Sequence, residues 1–169
     1  SGIAFVTEDR KGEGLLLNFS LSFNIMLPNL KKIEKGLFLS DKDEDSIAEK
    51  YRKDLRIVTP SMKNFAKSLS GGNQQKVVLA KWLAADCNVL ILDEPTRGID
   101  VGAKTEIYGI MRELCAQGKS IIMVSSELPE ILGMSDRILV MRGGKILGEL
   151  DGKDATEEKI MKYAMGYEQ

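Results

Sequence analysis

The sequence predicts an α/β fold, with a parallel β-sheet core, an inserted helical subdomain and a C-terminal β-hairpin. Residues 89–92 and 120–124 are short, continuous apolar runs, as in strands that are buried on both faces of a parallel sheet. Residues 103–117 between them have apolar side chains at helical spacing, which makes the three segments a βαβ unit with a right-handed crossover. Two strand-like segments on either side of residues 143–144, both glycine, predict the hairpin.

The chain opens with an apolar strand-like run, residues 1–7, and continues into a charged loop that contains two glycines, residues 8–14. A chain that opens in mid-strand is expected of a fragment in which the N-terminal part of the domain is missing. Ser1 is then interpreted as a remnant of cloning. We expect residues 1–14 and 86–155 to form the sheet core together.

Residues 15–85 have a helical pattern and predict the inserted subdomain. A short apolar helix is expected to end at Pro28, and residues 31–40 are expected to form a polar connection. Residues 41–56 then predict an amphipathic helix, because their apolar side chains recur on one face. The apolar residues are Phe19, Phe23, Ile25 and Met26 in the first helix and Ile47, Ala48, Tyr51 and Leu55 in the second.

The stretch LSGGNQQ, residues 69–75, precedes a helical pattern that extends without interruption to Ala85. A loop that leads into a helix places the first N–H groups, which lack intrahelical partners, where they can bind phosphate oxygens. Ser70 adds a hydroxyl, while Gly71 and Gly72 let a ligand approach the backbone closely. Taken alone, Ser-Gly-Gly also fits a simple glycine turn before a core helix.

Three smaller elements are predicted beyond the βαβ unit. Pro129 suits the first turn of a short helix that contains Ile131 and Leu132. The hairpin strands follow, at 137–141 and 145–150. Residues 156–169 are expected to form a C-terminal surface helix.

Polar side chains follow three of the predicted strands, at the sheet edge where parallel α/β folds bind ligands. Glu8 follows the first strand, Asp93 and Glu94 follow the second, and residues 125–127 follow the third. An aspartate at the end of a buried strand is suited to hold Mg²⁺ on a nucleotide, and the next carboxylate to orient or deprotonate an attacking water. An apolar run followed by Asp-Glu also fits a strand that ends in a solvated loop.

The composition argues against several kinds of protein. Histidine is absent, which removes histidine-based triads and most zinc sites, and Cys87 and Cys115 have no metal-binding or redox spacing. With 24 basic and 25 acidic residues the net charge is −1, so we expect no nucleic-acid partner. No apolar run approaches the roughly 20 residues that span a membrane. We therefore expect a cytoplasmic protein, without a signal peptide and with reduced cysteines.

The run LSGGNQQKVVLAKWLAADCNVLILDEPTRGID, residues 69–100, resembles the signature motif, signature helix, Walker B strand and D-loop of an ATP-binding cassette (ABC) ATPase, in that order. The resemblance extends over nearly the whole chain and implies a P-loop NTPase-like core that uses ATP and Mg²⁺. It implies that Asp93 binds magnesium, that Glu94 is the catalytic carboxylate and that Ser126 stands at the switch-histidine position. The residues that it places at the nucleotide are Leu69, Ser70, Gly71, Gly72, Asn73 and Gln74 of the signature loop, Asp100 of the D-loop, and Glu8 of the Q-loop.

The segments GGNQQKV, EPTRGIDVGAK and SSELPEILGMSDRI are similar in particular to the second of two cassettes in the ATP-binding subunit of bacterial monosaccharide importers of the ribose and galactose type. This similarity implies three partners: an N-terminal cassette on the same polypeptide, a transmembrane sugar permease and, through the permease, a periplasmic sugar-binding protein. The helical subdomain would then face the permease at the inner face of the cell membrane.

The chain departs from the family pattern in three ways. The sequence contains no G-x-x-x-x-G-K-[ST] phosphate loop, so the chain alone is expected to bind ATP poorly. Glu8 stands where most cassettes have glutamine, and a carboxylate repels phosphate but can pair with a metal or an arginine. Ser126 replaces the switch histidine, and a hydroxyl cannot hold both a γ-phosphate and a water as an imidazole does. We therefore expect weak hydrolysis at the site built on Asp93 and Glu94.

Cassettes of this family pair head to tail, with each nucleotide between the phosphate loop of one cassette and the signature loop of the other. The resemblance implies that Ser70, Gly71 and Gly72 close on ATP held by the first cassette. Two alternatives remain: a regulatory cassette that pairs without hydrolysing ATP, and a soluble cassette ATPase that acts on ribosomes or DNA ends. The second usually has coiled-coil or basic insertions, and residues 8–69 contain neither.

Overall fold

The computed structural model of the protein describes residues 2–166, which fall into two compact units, Ser1–Val124 and Ser125–Gln169. Ser1, interpreted above as a cloning remnant, and residues 167–169 of the predicted C-terminal helix lie outside the described residues. The first unit contains, in chain order, β1 (Ile3–Val6), α1 (Leu21–Met26), β2 (Glu34–Lys35), β3 (Phe38–Leu39), α2 (Asp41–Asp54), α3 (Gly71–Leu83), β4 (Val89–Asp93), α4 (Val101–Ala116) and β5 (Ser120–Val124).

The sheet of the first unit has the strand order β1-β4-β5, and both pairs of strands are parallel. Ile3 lies opposite Val89 in the first pair, and Val89 lies opposite Ser120 in the second. Helix α4 connects β4 to β5, which confirms the predicted βαβ unit. Helices α3 and α4 pack against the sheet and against each other. The core they enclose includes Val6, Val77, Val78, Leu90, Leu92 and Ile107, all fully buried.

One face of this sheet is exposed in its outer strands. Ile3 and Phe5 of β1 are 59% and 48% exposed, and Ile122 and Val124 of β5 are 55% and 51% exposed. The prediction that residues 120–124 are buried on both faces is therefore wrong for the described structure. The physical reason is that successive side chains of a strand point to opposite faces, and α3 and α4 cover the face to which Leu90 and its neighbours point.

The polar connection predicted for residues 31–40 contains a small antiparallel hairpin, β2–β3, which the sequence does not predict. Gly36 adopts a φ of +66° in its turn, a conformation that glycine tolerates without strain. The hairpin escapes prediction because two-residue strands that bury no side chain show no hydrophobic pattern. Leu37 and Phe38 are 97% and 78% exposed.

The helices of this region agree with the sequence to within a few residues. Helix α1 begins after Ser20, whose hydroxyl accepts a hydrogen bond from Phe23 N, and it passes at Leu27 into a 3₁₀ turn that contains Pro28. Helix α2 begins after Ser40 in the same way and buries only Ala48.

The second unit contains α5 (Leu128–Met134), β6 (Arg137–Arg142), β7 (Lys145–Asp151) and α6 (Glu157–Met165). Strands β6 and β7 form the predicted antiparallel hairpin, with Gly143 and Gly144 at positive φ in the turn. Ile138 and Val140 of the hairpin and Ile160 of α6 form a small core. Across residues 2–166, no helix combines the length and the apolarity that a membrane crossing requires.

Candidate functional site

Helix α3 begins directly in the glycine stretch, with Ser70 as its N-cap. Ser70 is exposed, and its hydroxyl accepts hydrogen bonds from Asn73 N at 3.5 Å and from Asn73 Nδ2 at 3.1 Å. At 3.5 Å, the bond from the Asn73 backbone N–H to the Ser70 hydroxyl is at the outer limit of useful length. The cap therefore leaves the positive end of α3 only weakly neutralised.

The side chains of Asn73 and Gln74, next to Ser70, hold the loop in place through hydrogen bonds to preceding segments. Asn73 Oδ1 accepts a hydrogen bond from Val58 N at 2.8 Å. Gln74 is 4% exposed, and its Nε2 donates to Ala66 O at 3.1 Å, while Leu69 N donates to the same carbonyl at 3.3 Å. Within residues 2–166, the buried Gln74 Oε1 has no hydrogen-bond partner. The amide side chains of Asn73 and Gln74 thus attach the stretch to the backbone of Val58 and Ala66, and Ser70 supplies its exposed hydroxyl.

Both glycines lie close to other segments of this chain. A Cβ atom at Gly71 would lie 2.9 Å from Arg10 Nη2 and 3.2 Å from Gly98 O. A Cβ atom at Gly72 would lie 2.5 Å from the Cβ atom of Ala103 in α4. The N-terminus of α3 therefore lies directly against the segment that joins β4 to α4.

That segment begins with the two predicted catalytic carboxylates. Asp93 is the last residue of β4 and is half-buried. Glu94 has a φ of +47°, and its N–H donates to Val124 O at 2.9 Å, which ties it to the end of β5. Asp100 ends the segment as the N-cap of α4, with its carboxylate accepting from Ala103 N at 2.9 Å.

The charged loop after β1 is an ordered π-helical turn, Arg10–Gly14, capped by Asp9. Glu8 is exposed and forms an ion pair with Arg97, so the arginine partner considered for this carboxylate belongs to the same chain. Arg10 Nη1 donates to Arg97 O at 2.7 Å, and Arg10 Nη2 donates to Gly98 O at 3.1 Å. Burial lowers the pKa of the Arg10 guanidinium, and the neighbouring Asp9 opposes this shift.

The sequence prediction includes neither Arg10 nor Arg97. Both are arginines in polar segments that follow strands, at the sheet edge where the other candidates were found. The positions of these two residues next to Glu8 and Asp93-Glu94 are the only hint that the sequence offers. The Arg10 side chain bonds to residues that are 87 and 88 positions later in the chain, and no local sequence pattern indicates such a contact.

Ser126 belongs to the second unit, between β5 and α5, whereas the other candidate residues belong to the first. Its neighbour Ser125 accepts a hydrogen bond from Glu127 N at 3.0 Å at the start of α5. The structure therefore brings Glu8, the glycine stretch and the segment 93–100 together in one unit and places Ser126 in the other.

The acidic residues of the site are suited to a magnesium ion that is bound mainly by the phosphates of a nucleotide. No group of three or more His, Cys, Asp or Glu side chains within residues 2–166 is placed to hold a metal ion. Asp93 and Glu94 supply adjacent carboxylates at the end of β4. Mg²⁺ on a phosphate needs only one or two protein carboxylates, because water and phosphate oxygens complete its octahedron.

Comparisons with known proteins agree with these observations. A family model described as ABC transporter matches residues 7–97. The ribose import ATP-binding protein RbsA of Clostridium tetani (strain Massachusetts / E88) is 54% identical, over 99% of this chain and 33% of its own length. RbsA of Bacillus cereus (strain ATCC 14579) is 56% identical, over 98% of this chain and 34% of its own length. The chain thus spans about a third of the length of the curated relatives that it matches.

Solved structures show the same fold at lower identity. A dimeric ATP-binding cassette bound to ADP and Pi in a post-hydrolysis state has a TM-score of 0.72 and 22% identity, covering 88% of this chain and 62% of its own. An ATP-binding cassette of an ABC transporter has a TM-score of 0.78 and 21% identity, covering 98% of this chain and 69% of its own.

Proposed function

The chain belongs to the ABC transporter family, and from this premise we propose that it is the signature-bearing part of the second ATP-binding cassette in the ATP-binding subunit of a sugar importer. Relatives that are 54% and 56% identical are ribose import ATP-binding proteins, which supports a monosaccharide such as ribose as the transported substrate. The proposal concerns a polypeptide of the relatives' length, in which ATP binding and hydrolysis by two paired cassettes drive transport.

The observation on which the proposal rests is the exposed N-terminus of α3 with Ser70 at its cap. Helix N-termini attract anions because their first N–H groups point outward and add up to a partial positive charge. In the paired state, Ser70, Gly71 and Gly72 close on the γ-phosphate of ATP that the other cassette holds. Asn73 and Gln74 act by fixing the loop, since their side chains bond to the backbone of Val58 and of Ala66 in the preceding segments.

We place a second, weaker nucleotide site at Asp93 and Glu94. Asp93 would hold Mg²⁺, which neutralises charge on the phosphates when it is bound, and Glu94 would orient the attacking water. Glu8 is held by Arg97 and so contributes an already paired carboxylate rather than a glutamine amide. Ser126 offers a hydroxyl in place of an imidazole. These two replacements favour slow hydrolysis at this site.

The proposed partners follow from the same assignment. They are an N-terminal cassette on the same polypeptide, a transmembrane sugar permease and a periplasmic sugar-binding protein that acts through the permease. The subunit would lie in the cytoplasm, on the inner face of the cell membrane. The balanced charge of 24 basic and 25 acidic residues supports an assignment without nucleic acid.

The test is ATP turnover by a polypeptide of the relatives' length that carries Ser70→Arg. A long cation at the cap blocks the approach of the phosphate, and we expect turnover to fall by about tenfold or more. Ser68→Arg is the matched control, because Ser68 is exposed two residues earlier, and its turnover should stay within about twofold of wild type. Wild-type turnover in Ser70→Arg would show that the loop does not serve a nucleotide.

Glu94→Gln tests the assignment of the weaker site. We expect it to reduce turnover less than the equivalent change in the first cassette, since most hydrolysis would occur between the first cassette's phosphate loop and Ser70. If Glu94→Gln alone abolishes turnover, the weak-site assignment is wrong. If ATP binds and neither change alters a negligible turnover, the chain is a regulatory cassette.

A further inference from the structure

The guanidinium of Arg10 joins three segments of the first unit. It extends from the π-helical turn after β1 and donates to the carbonyls of Arg97 and Gly98, at 2.7 Å and 3.1 Å. The same Nη2 atom lies next to Gly71, since a Cβ atom at that position would be 2.9 Å away. A single planar group thus contacts the segment between β4 and α4 and the first residue of α3.

We propose that Arg10 is a positioning residue for nucleotide turnover, which fixes the signature loop relative to the D-loop. The proposal rests on the proposed function, because it assigns these two loops to a nucleotide shared between cassettes. Arg10 does not touch the nucleotide in this assignment. It sets the spacing between the start of α3 and residues 97–98, so that both loops reach the paired cassette together.

The ion pair between Glu8 and Arg97 also connects the loop after β1 to the segment between β4 and α4. It is poorly suited to fix the position of that segment. The side chains of Arg97 and Glu8 are 66% and 42% exposed, and solvent and salt screen an exposed pair. Arg10 is half-buried, and its two donors bond to the carbonyl oxygens of two consecutive residues, Arg97 and Gly98. We therefore assign the positioning contact to the two hydrogen bonds that the Arg10 guanidinium donates to Arg97 O and Gly98 O.

The geometry requires arginine and not merely a positive charge. A guanidinium presents parallel N–H groups in a rigid plane and can bond to two carbonyls at once, whereas an ammonium is a single point at the end of a flexible stem. Arg10→Lys keeps the charge and should lose one of the two bonds. Lys11 provides a matched control, because it is the adjacent cation and is exposed.

Steady-state ATP hydrolysis by a polypeptide of the relatives' length is the first measurement. For Arg10→Gln we expect kcat to fall by about tenfold or more while the KM for ATP stays within about twofold, since the phosphate loop of the other cassette binds the nucleotide. Arg10→Lys should recover only part of kcat, and Lys11→Gln should behave as wild type. Full recovery by Arg10→Lys, or an equal loss in Lys11→Gln, would refute a role for the guanidinium fork.

Amide hydrogen exchange in the same variants, without nucleotide, separates this proposal from the proposed function. Peptides that cover residues 95–100 should exchange about tenfold faster in Arg10→Gln than in wild type or Lys11→Gln. If the wild-type polypeptide shows no ATP turnover, the proposed function fails, while faster exchange still supports the contact. If exchange is unchanged in Arg10→Gln, Arg10 does not hold the D-loop, whatever the turnover.

A double-mutant cycle with Gly71→Ala tests the contact itself. The added methyl group would meet Arg10 Nη2 in the wild-type background and only Gly98 O, at 3.2 Å, in the Arg10→Gln background. Gly71→Ala should therefore reduce kcat by a factor at least about three times larger with Arg10 present than with Arg10→Gln. Equal factors in the two backgrounds would overturn the proposal that Arg10 positions the signature loop.

Discussion

Helices α3 and α4 begin side by side, with the same backbone geometry and with opposite chemistry. The two N-caps have nearly equal angles: φ −62° and ψ 159° at Ser70, and φ −68° and ψ 158° at Asp100. Asp100 closes its helix with a carboxylate that accepts from Ala103 N at 2.9 Å. Ser70 offers a neutral hydroxyl, 3.5 Å from Asn73 N and shared with the Asn73 side chain.

From this difference we infer that the cap side chain, and not the backbone, decides which helix end can receive a phosphate. A carboxylate at the cap satisfies the first N–H groups and repels a second anion. The Ser70 hydroxyl is 3.5 Å from Asn73 N, so it satisfies these groups weakly, and it can also donate a hydrogen bond of its own. We infer that the α4 end serves the site by its position, while the α3 end is left open for the ligand.

The largest effect is expected from Ser70→Asp, which gives α3 the cap that α4 has. Aspartate caps a helix as well as serine does, so the urea midpoint should stay equal or rise slightly. A negative charge beside the γ-phosphate should nevertheless reduce ATP turnover by about a thousandfold, since like charges 4 Å apart repel by about 4 kcal/mol at an effective dielectric constant of 20.

Ser70→Asn is the control for this change, because asparagine is a neutral cap of nearly the same size as aspartate. It should retain most of the turnover that Ser70→Asp loses. Equal turnover in the two variants would mean that charge at the cap does not separate the α3 end from the α4 end.

The close approach of the two helix ends gives the second prediction. Gly72→Ala places a methyl group 2.5 Å from the Cβ atom of Ala103, which must push the two helices apart. We expect the free energy of unfolding to fall by about 1–2 kcal/mol, because overpacking costs more than the helix propensity of alanine returns. Urea denaturation of Gly72→Ala with Ala103→Gly should show a smaller loss than the sum of the single changes; simple additivity would contradict the contact.

The smallest effects are expected from removing each cap in turn. Asp100→Ala should lower the free energy of unfolding by about 1 kcal/mol, since a short capping bond is lost. Ser70→Ala should lower it by only about 0.5 kcal/mol, because the hydroxyl is 3.5 Å from the N–H that it accepts. Thermal and urea denaturation of both variants shows which cap contributes more to the free energy of unfolding. A greater loss of stability in Ser70→Ala than in Asp100→Ala would contradict the conclusion that Ser70 is the weaker cap.

The sequence predicts the start of α3 and the parallel unit β4-α4-β5, because local composition determines them. An uninterrupted helical pattern follows the stretch that contains Ser70, and residues 89–92 and 120–124 are too short and too apolar for helices. The cap of α4 at Asp100 is not predicted, because the apolar spacing of that helix indicates a start at Ala103. The same local reasoning places Asp93 and Glu94 at the end of a strand, as the structure does. The roles of these residues at a nucleotide remain predictions.

Other features could not be predicted, because they depend on contacts between distant segments. Arg10 reaches residues 97–98, and buried Lys76 donates to Arg56 O at 2.8 Å and to Glu106 at 2.7 Å. A sequence pattern marks such residues as solvated cations. The exposure of Ile122 in β5 could not be predicted for a similar reason. An apolar run shows that a strand can be buried, but it does not show which elements cover each face of the strand.

Glu94 has a consequence for laboratory selection. Its φ of +47° lies in the left-handed region, where a residue with a Cβ atom costs about 1–2 kcal/mol and glycine costs almost nothing. A screen that rewards heat resistance alone would therefore favour replacing this carboxylate by glycine. Thermostable variants enriched without a demand for ATP turnover should lose the very group that the proposed chemistry requires, and a useful screen must reward both properties at once.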